Sequence, residues 1–311
     1  MNKIQGKRIL VTGAAGFIGR HLCQRLHDNG ACVFGLVRSY RAEKELLFKQ
    51  YVIDISDHKQ VNQLLQDVQP EMIVHLAAVK NRSDELDAFR RGFNADVLGT
   101  INLIEASMAL QSLISFVFIG SCDEYGQQEM PFVESVREKP NSAYGVTKLA
   151  VTQVLQTLAR SKSFPAVILR PSVIYGPGQG ADMFIPSLIH KLISHQKFAM
   201  TKGEQTRDFL YINDMVEAIL LALVTAGING EIINISSSSP IRIDYMARKI
   251  AQLIGVNAEK LLDFGAMDYR SGETMNYWAN NSHAKALLGW APLVSLEDGL
   301  CETVNYYNSI I

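Results

Sequence analysis

The chain carries almost no net charge. Its 30 basic and 31 acidic residues leave a formal charge of −1 at pH 7. That balance sets up no field for nucleic acid or for an anionic membrane. Long hydrophobic runs are missing too: none approaches the roughly 18 residues that a membrane span needs. The first residues lack the apolar stretch of a secretory signal. Cysteine is scarce. The four present, Cys23, Cys32, Cys122 and Cys301, share no metal-ligand spacing, so free thiols in a reducing compartment are expected. No internal repeat or low-complexity segment stands out, and Ser236–Ser239 reads as a loop. Together these absences point to a soluble cytoplasmic globule with neither a nucleic-acid nor a membrane partner. Its 311 residues suffice for one large α/β unit or two closely packed ones.

What is present is organised around Arg8–Gly19. Ile9-Leu10-Val11 suits a strand buried on both faces. Phe17-Ile18 opens an amphipathic helix that carries Leu22 and Leu26. Gly13, Gly16 and Gly19 lie between and within these elements. In such a turn the first glycine permits the reversal and the second a close backbone approach to a ligand. The third lets the helix sit tight on its strand. The N–H groups of the helix start, at Phe17 and Ile18, then face a pyrophosphate.

Strand-like runs follow at Ala31–Val37, Tyr51–Ile53, Met72–Ala78, Phe116–Ile119 and Ala166–Leu169. Helical patterns alternate with them at Lys59–Val68, about Ser83–Leu110 and Ser142–Arg160. Asp54-Ile55-Ser56-Asp57 supplies the turn and N-cap ahead of the helix at Lys59. This alternation predicts an α/β fold with a doubly wound parallel sheet that binds ligands beyond the carboxyl ends of its strands. After Arg170 the texture changes. Pro171, Gly176, Pro177, Gly178 and Gly180 punctuate a loop. Helices are expected near Phe184–Ser194, Asp214–Val224, Tyr245–Ile254 and Leu296–Tyr306, and short strands near Phe198–Met200 and Ile232–Ile235. Residues 1–170 with about 209–236 therefore read as a dinucleotide-binding unit. Residues 171–208 with 237–311 read as a smaller α/β substrate-binding unit.

In such a fold an acidic residue about 20 positions past the glycines usually holds the ribose 2′-hydroxyl. Here the second strand runs into Arg38-Ser39-Tyr40-Arg41. A guanidinium grips a 2′-phosphate where a carboxylate would repel it. NADP(H) is favoured on this ground, with NAD(H) the alternative. Asp54 and Ile55 are placed to contact adenine, although capping explains Asp54 equally well. Leu76, Ala77 and Ala78, at the end of the fourth strand, allow close cofactor approach. Tyr144 and Lys148 stand four apart on one helical face. A free phenol, with a pKa of ~10, is a poor acid–base group at neutral pH, but a nearby ammonium favours the phenolate. Lys148 can also bind the nicotinamide ribose. Ser121, at the end of the fifth strand, is placed to donate a hydrogen bond to a substrate carbonyl or alkoxide.

These residues carry a family resemblance. Thr12–Gly19, Asp54-Ile55, His75–Ala78, Asn94 with Gly99-Thr100, Ser121 to Tyr125-Gly126, Tyr144 with Lys148, and Tyr175-Gly176-Pro177 all contribute. Thr206–Phe209 and Leu288-Gly289-Trp290 extend it towards the C-terminus. The sequence resembles an extended short-chain dehydrogenase/reductase of the nucleotide-sugar epimerase, dehydratase and reductase group. The resemblance implies a Rossmann-like sheet, with Tyr144 as acid–base, Lys148 as its partner and Ser121 as carbonyl donor. It places the nicotinamide near Pro171–Val173 and the substrate's diphosphate on Arg207 and Arg270. It also implies a homodimer formed through the helices at 83–110 and 142–160 as a four-helix bundle.

Departures bear on the reaction. Dehydratases of this group carry an Asp-Glu pair just after the catalytic hydroxyl. Cys122 and Asp123 occupy those places as candidate substrate contacts, and for the small thiol packing is the better reading. Val173 stands where relatives often have an Asn that touches the nucleotide sugar. The ending Glu124-Tyr125-Gly126 is similar to reductases of 4-keto-6-deoxy sugar nucleotides. The leading expectation is thus an NADPH-dependent reductase of a nucleotide-linked 4-keto-6-deoxy sugar. A nucleotide-sugar 4-epimerase with tightly bound NAD(P) is the alternative. A non-catalytic NADP(H) sensor or scaffold would be expected to lose Tyr144 or Lys148, and both are present.

Overall fold

The structure, a computed structural model, describes residues 3–40, 47–80, 83–270 and 272–310. Seven parallel strands form its main sheet in the order β10-β6-β5-β4-β1-β2-β3. They are β1 (Arg8–Thr12), β2 (Cys32–Val37), β3 (Lys49–Val52), β4 (Met72–His75), β5 (Ser115–Ile119), β6 (Ala166–Pro171) and β10 (Ile232–Ile235). Strand order reverses at β1, where Thr12 is in register with Leu36 on one side and His75 on the other. The crevice between the carboxyl ends of β1 and β4 is the place where such sheets bind ligands.

Alternation of side chains splits the core in two. Ile9, Val11, Val74, Val117 and Val167 face α1 (Phe17–Asp28) and α7 (Ile212–Val224). Leu10, Ile73, Phe116, Phe118 and Ile168 face α2 (His58–Val68), α4 (Gly99–Met108) and α5 (Ala143–Lys162). Burial on both faces explains why these strands read as unbroken apolar runs.

The first core continues into the rest of the chain. There β7 (Val173–Tyr175), β9 (Thr206–Tyr211) and β11 (Pro240–Arg242) form a three-stranded sheet. A two-stranded sheet joins β8 (Phe198–Met200) to β12 (Leu262–Phe264). Around them pack α6 (Phe184–Ile193), α8 (Ile243–Ile254) and α11 (Leu296–Ile310), with the single turn α9 at Ala258–Leu261, while α10 (Ser282–Leu288) packs on β10 and α7 of the main sheet. No helix among the described residues is long and apolar enough to cross a membrane. All four cysteines are free thiols.

Several expected boundaries are corrected. The fourth strand stops at His75 and not at Ala78: the Leu76 N–H is shared between the Thr12 carbonyl and Thr12 Oγ1, each at 3.2 Å, and the Ala77 N–H turns to Thr12 Oγ1 at 3.1 Å. The expected helix at 83–110 is α3 (Leu86–Gly92), a widened π-helical turn at Phe93–Leu98, and α4. Asp57 caps α2 by accepting from Gln60 N, whereas Asp54 closes a local turn with Ser56. The strands β7, β9, β11 and β12 and the helices α9 and α10 were not expected. The first two of those strands, β7 and β9, place Val173 and Arg207 in the cleft described next.

Candidate active site

The first site element is backbone. Gly13 adopts φ +69°, which favours glycine, and a Cβ there would lie 3.0 Å from Ala77 N. At Gly19 a Cβ would run into the carbonyl oxygens of Gly13 and Ala14. The N-cap of α1 is Gly16, which offers no side-chain cap. The first amides of α1, at Phe17 and Ile18, are therefore presented as donors with the positive end of the helix dipole behind them. This cradle fits the pyrophosphate of a dinucleotide.

A buried chain of hydrogen bonds braces the cradle. Because Thr12 Oγ1 accepts from two amides, its O–H is assigned as donor to His75 Nδ1 at 2.6 Å. His75 Nε2 then donates to Thr100 Oγ1 at 2.8 Å, and Thr100 donates to the Asp96 carbonyl. Burial, helped by the charge of Lys148, pushes His75 down to about 3, so it stays neutral as this chain requires. Asp96 lies in the π-helical turn with its carboxylate turned inward. It accepts from Val79 N at 2.8 Å and from Thr147 Oγ1 at 3.4 Å. Burial pushes its carboxyl up, against these bonds and the charge of Lys148.

The second element is the start of α5. Ser142 caps it by accepting from Gly145 N at 3.2 Å. Tyr144 and Lys148 then share one face, with Lys148 Nζ 5.8 Å from the Tyr144 ring centroid and 4.6 Å from that of Phe118. Lys148 is buried and donates to the Ile119 carbonyl at 2.6 Å. Burial lowers its pKa to about 8, opposed by the carboxylates of Asp96 and Glu124. The same strand end carries Ser121, whose Oγ accepts from Asp123 N at 3.0 Å.

Directly behind Ser121 lies a cluster that sequence reading missed. Glu124, fully buried, accepts from Ser121 N at 2.9 Å and Thr152 Oγ1 at 2.9 Å. It also accepts from Arg170 Nε and Nη2 at 2.9 and 2.6 Å, and Arg170 reaches Glu138 at 2.8 Å. Glu124, read above as a hint of reductase activity, is thus committed to the core. Cys122 is corrected as a substrate contact. It is fully buried, its thiol donates to the Arg170 carbonyl at 3.4 Å, and burial pushes its pKa well up.

A cleft of about 320 Å³ brings together Asp123, Arg207 and Arg270 of the expected substrate residues, with Val173, which was expected at the nicotinamide. It adds Glu273 and Tyr277, which no motif flagged. Tyr277 donates to Asp123 at 2.8 Å. Arg270 is exposed, and Arg207 is paired with Glu273. Pro171 is buried at the end of β6. On the cofactor side Arg38 is exposed at the end of β2. It acts on Asp54, whose carboxyl is held low chiefly by its bonds to Ser56. Ile55 packs against Gly99, where a Cβ would lie 2.6 Å from its Cγ2. Arg41 lies outside the described residues.

Comparison with known proteins follows the same lines. The NAD dependent epimerase/dehydratase family model matches residues 9–236. An uncharacterised UDP-glucose epimerase of Bacillus subtilis, YtcB, is 32% identical over 321 positions, covering 97% of this chain and 98% of its own. Human dTDP-D-glucose 4,6-dehydratase is 30% identical, covering 97% and 90%. Among solved structures, UDP-glucuronic acid 4-epimerase from Bacillus cereus, in complex with UDP-glucuronic acid and NAD, superposes with a TM-score of 0.88. It is 32% identical, covering 97% of this chain and 99% of its own. With its glycine turn, its Tyr144–Lys148 helix and a match over most of its length, this chain belongs to the NAD-dependent epimerase/dehydratase family, among the extended short-chain dehydrogenases/reductases.

Proposed function

We propose that the protein is a 4-epimerase of a nucleotide-diphosphate sugar, working with a nicotinamide dinucleotide on the β1–α1 turn. One observation carries this reading. The buried, tethered ammonium of Lys148 stands beside Tyr144, while of the two residues that follow Ser121 only Asp123 is a carboxylate, and it lines the cleft. Dehydration in this group uses two adjacent acids, and the place of the first is taken by a buried thiol. The dinucleotide side of the sheet holds the cofactor, and residues 171–208 and 237–311 hold the nucleotide sugar.

When bound, the dinucleotide supplies the hydride acceptor and donor for the sugar C4. Tyr144 takes the proton of the C4 hydroxyl during oxidation and returns it after the keto sugar has turned over. Lys148 stabilises negative charge on the phenolic oxygen. Ser121 Oγ accepts from Asp123 N, so its O–H is set to donate to the C4 oxygen.

A second reading, NADPH-dependent reduction of a 4-keto nucleotide sugar, draws on exposed Arg38, whose charge suits a 2′-phosphate. Asp54 beside it works against that preference, and Glu124 no longer supports it. Incubating the purified protein with UDP-glucose, UDP-N-acetylglucosamine and dTDP-glucose tests both. The epimerase reading expects a C4 epimer with no dinucleotide added. The reductase reading expects nothing until NADPH and a 4-keto sugar are supplied.

A further inference from the structure

The guanidinium of Arg207, expected to grip the substrate's diphosphate, is already engaged. Its Nη1 donates to the carbonyls of Thr206 and Thr274, each at 2.8 Å, and its Nη2 is paired with the Glu273 carboxylate. Both side chains are largely shielded, at 20% and 19% exposure, and both line the cleft. Bidentate capture of a phosphate needs two parallel N–H donors. Here one terminal nitrogen is turned to backbone and the other to a carboxylate, itself an oxyanion of a size and charge that a phosphate oxygen pair can replace. Glu273 is also held near Arg270, the second expected diphosphate contact, because its N–H donates to the Arg270 carbonyl at 3.0 Å.

Resting on the reading of this cleft as a nucleotide-sugar site, we propose that Glu273 is an internal stand-in for the substrate's diphosphate, exchanged for it at Arg207 when substrate binds. The exchange keeps Arg207 paired with an anion in both states, so an empty cleft never holds an uncompensated, half-buried guanidinium. Its extent is limited by the bonds that follow. Thr206 N donates to the Met275 carbonyl at 2.7 Å and Asp208 N to that of Tyr277 at 3.0 Å, fixing the segment to the edge of β9. Displacement is therefore confined to Glu273 and Thr274, with Met275 as the pivot. Every binding event has to break one ion pair, and affinity for the nucleotide is set lower than the cleft would otherwise allow.

Titration calorimetry of UDP and of dTDP against wild type, Glu273→Gln, Glu273→Asp and Arg207→Gln tests this. Losing the competing charge should tighten binding of the preferred nucleotide about two- to fivefold in Glu273→Gln, the scale of one partly exposed ion pair. Glu273→Asp should retain wild-type affinity, and Arg207→Gln should weaken binding about tenfold or more. Unchanged or weaker binding in Glu273→Gln overturns the proposal, because the carboxylate would then be holding Arg207 ready and not competing for it. If neither nucleotide binds wild type or any variant at millimolar concentration, the nucleotide-sugar reading of the cleft falls and this inference with it.

Discussion

Lys148 shows how a single residue's surroundings set the conditions for activity. Burial lowers its pKa to about 8 against the carboxylates of Asp96 and Glu124, with Lys80 adding to the lowering. His75 and Tyr144 are its other titratable neighbours, and His75 stays neutral. The ammonium form does the work, so kcat/KM should fall as pH rises through about 8. Lys148→Arg should lose that limb of the pH profile, since a guanidinium stays charged. Stability runs the other way. Between about 8 and the ordinary 10.5 the unfolded chain holds the proton that the folded chain has released. The contribution of this group to stability therefore rises with pH across that window. A pH–rate profile that stays flat to pH 10 contradicts the assignment. Tyr144 and Lys148 were legible because an i, i+4 pair on a helix face is a local pattern. Asp96, Glu124 and Glu273 were not, because each acts through partners brought near only by folding: Val79, Arg170 and Arg207.

Among the elements, the end of β5 is held by side chains from two others. Glu124 ties Ser121 to Thr152 on α5 and to Arg170 on β6, all of them buried. Glu124→Ala would leave Arg170 facing Glu138 alone, with much of its charge uncompensated in the core. The expected cost is about 3–5 kcal/mol in urea unfolding, the scale for removing one partner of a buried pair. A loss below about 1 kcal/mol, as for a surface pair, would mean that the cluster is not structurally important. The glycine turn and the doubly buried strands were readable because their patterns are local and strong. The three-residue strands β7, β11 and β12 are too short to show a period, whereas β8, equally short, lies where a strand was expected, at Phe198–Met200. Neither the π-helical turn at Phe93–Leu98 nor the early end of β4 leaves a compositional mark. The first accompanies a carboxylate turned inward, and the second a hydroxyl that accepts from two amides.

At the scale of the whole molecule, one core joins the large sheet to the smaller ones, so cofactor cradle and cleft sit on a common frame. The helical segment 86–108 leaves Leu98, Ile101 and Met108 exposed, and their spacing puts them on one face. The homodimer expected from the resemblance would cover that face. Leu98→Glu should then turn a dimer into a monomer in size-exclusion chromatography with light scattering. A wild-type protein that is already monomeric at micromolar concentration contradicts the expectation. The central claim is reversible hydride transfer at the sugar C4 with Tyr144 moving the proton. Its most direct test uses UDP-glucose, or the nucleotide glucose the cleft prefers, deuterated at C4 and incubated without added dinucleotide. The account predicts the 4-epimer with deuterium kept at C4, and a loss of about a thousandfold or more in Tyr144→Phe. Formation of a 4-keto-6-deoxy product by loss of water, or equal turnover by Tyr144→Phe, would contradict it.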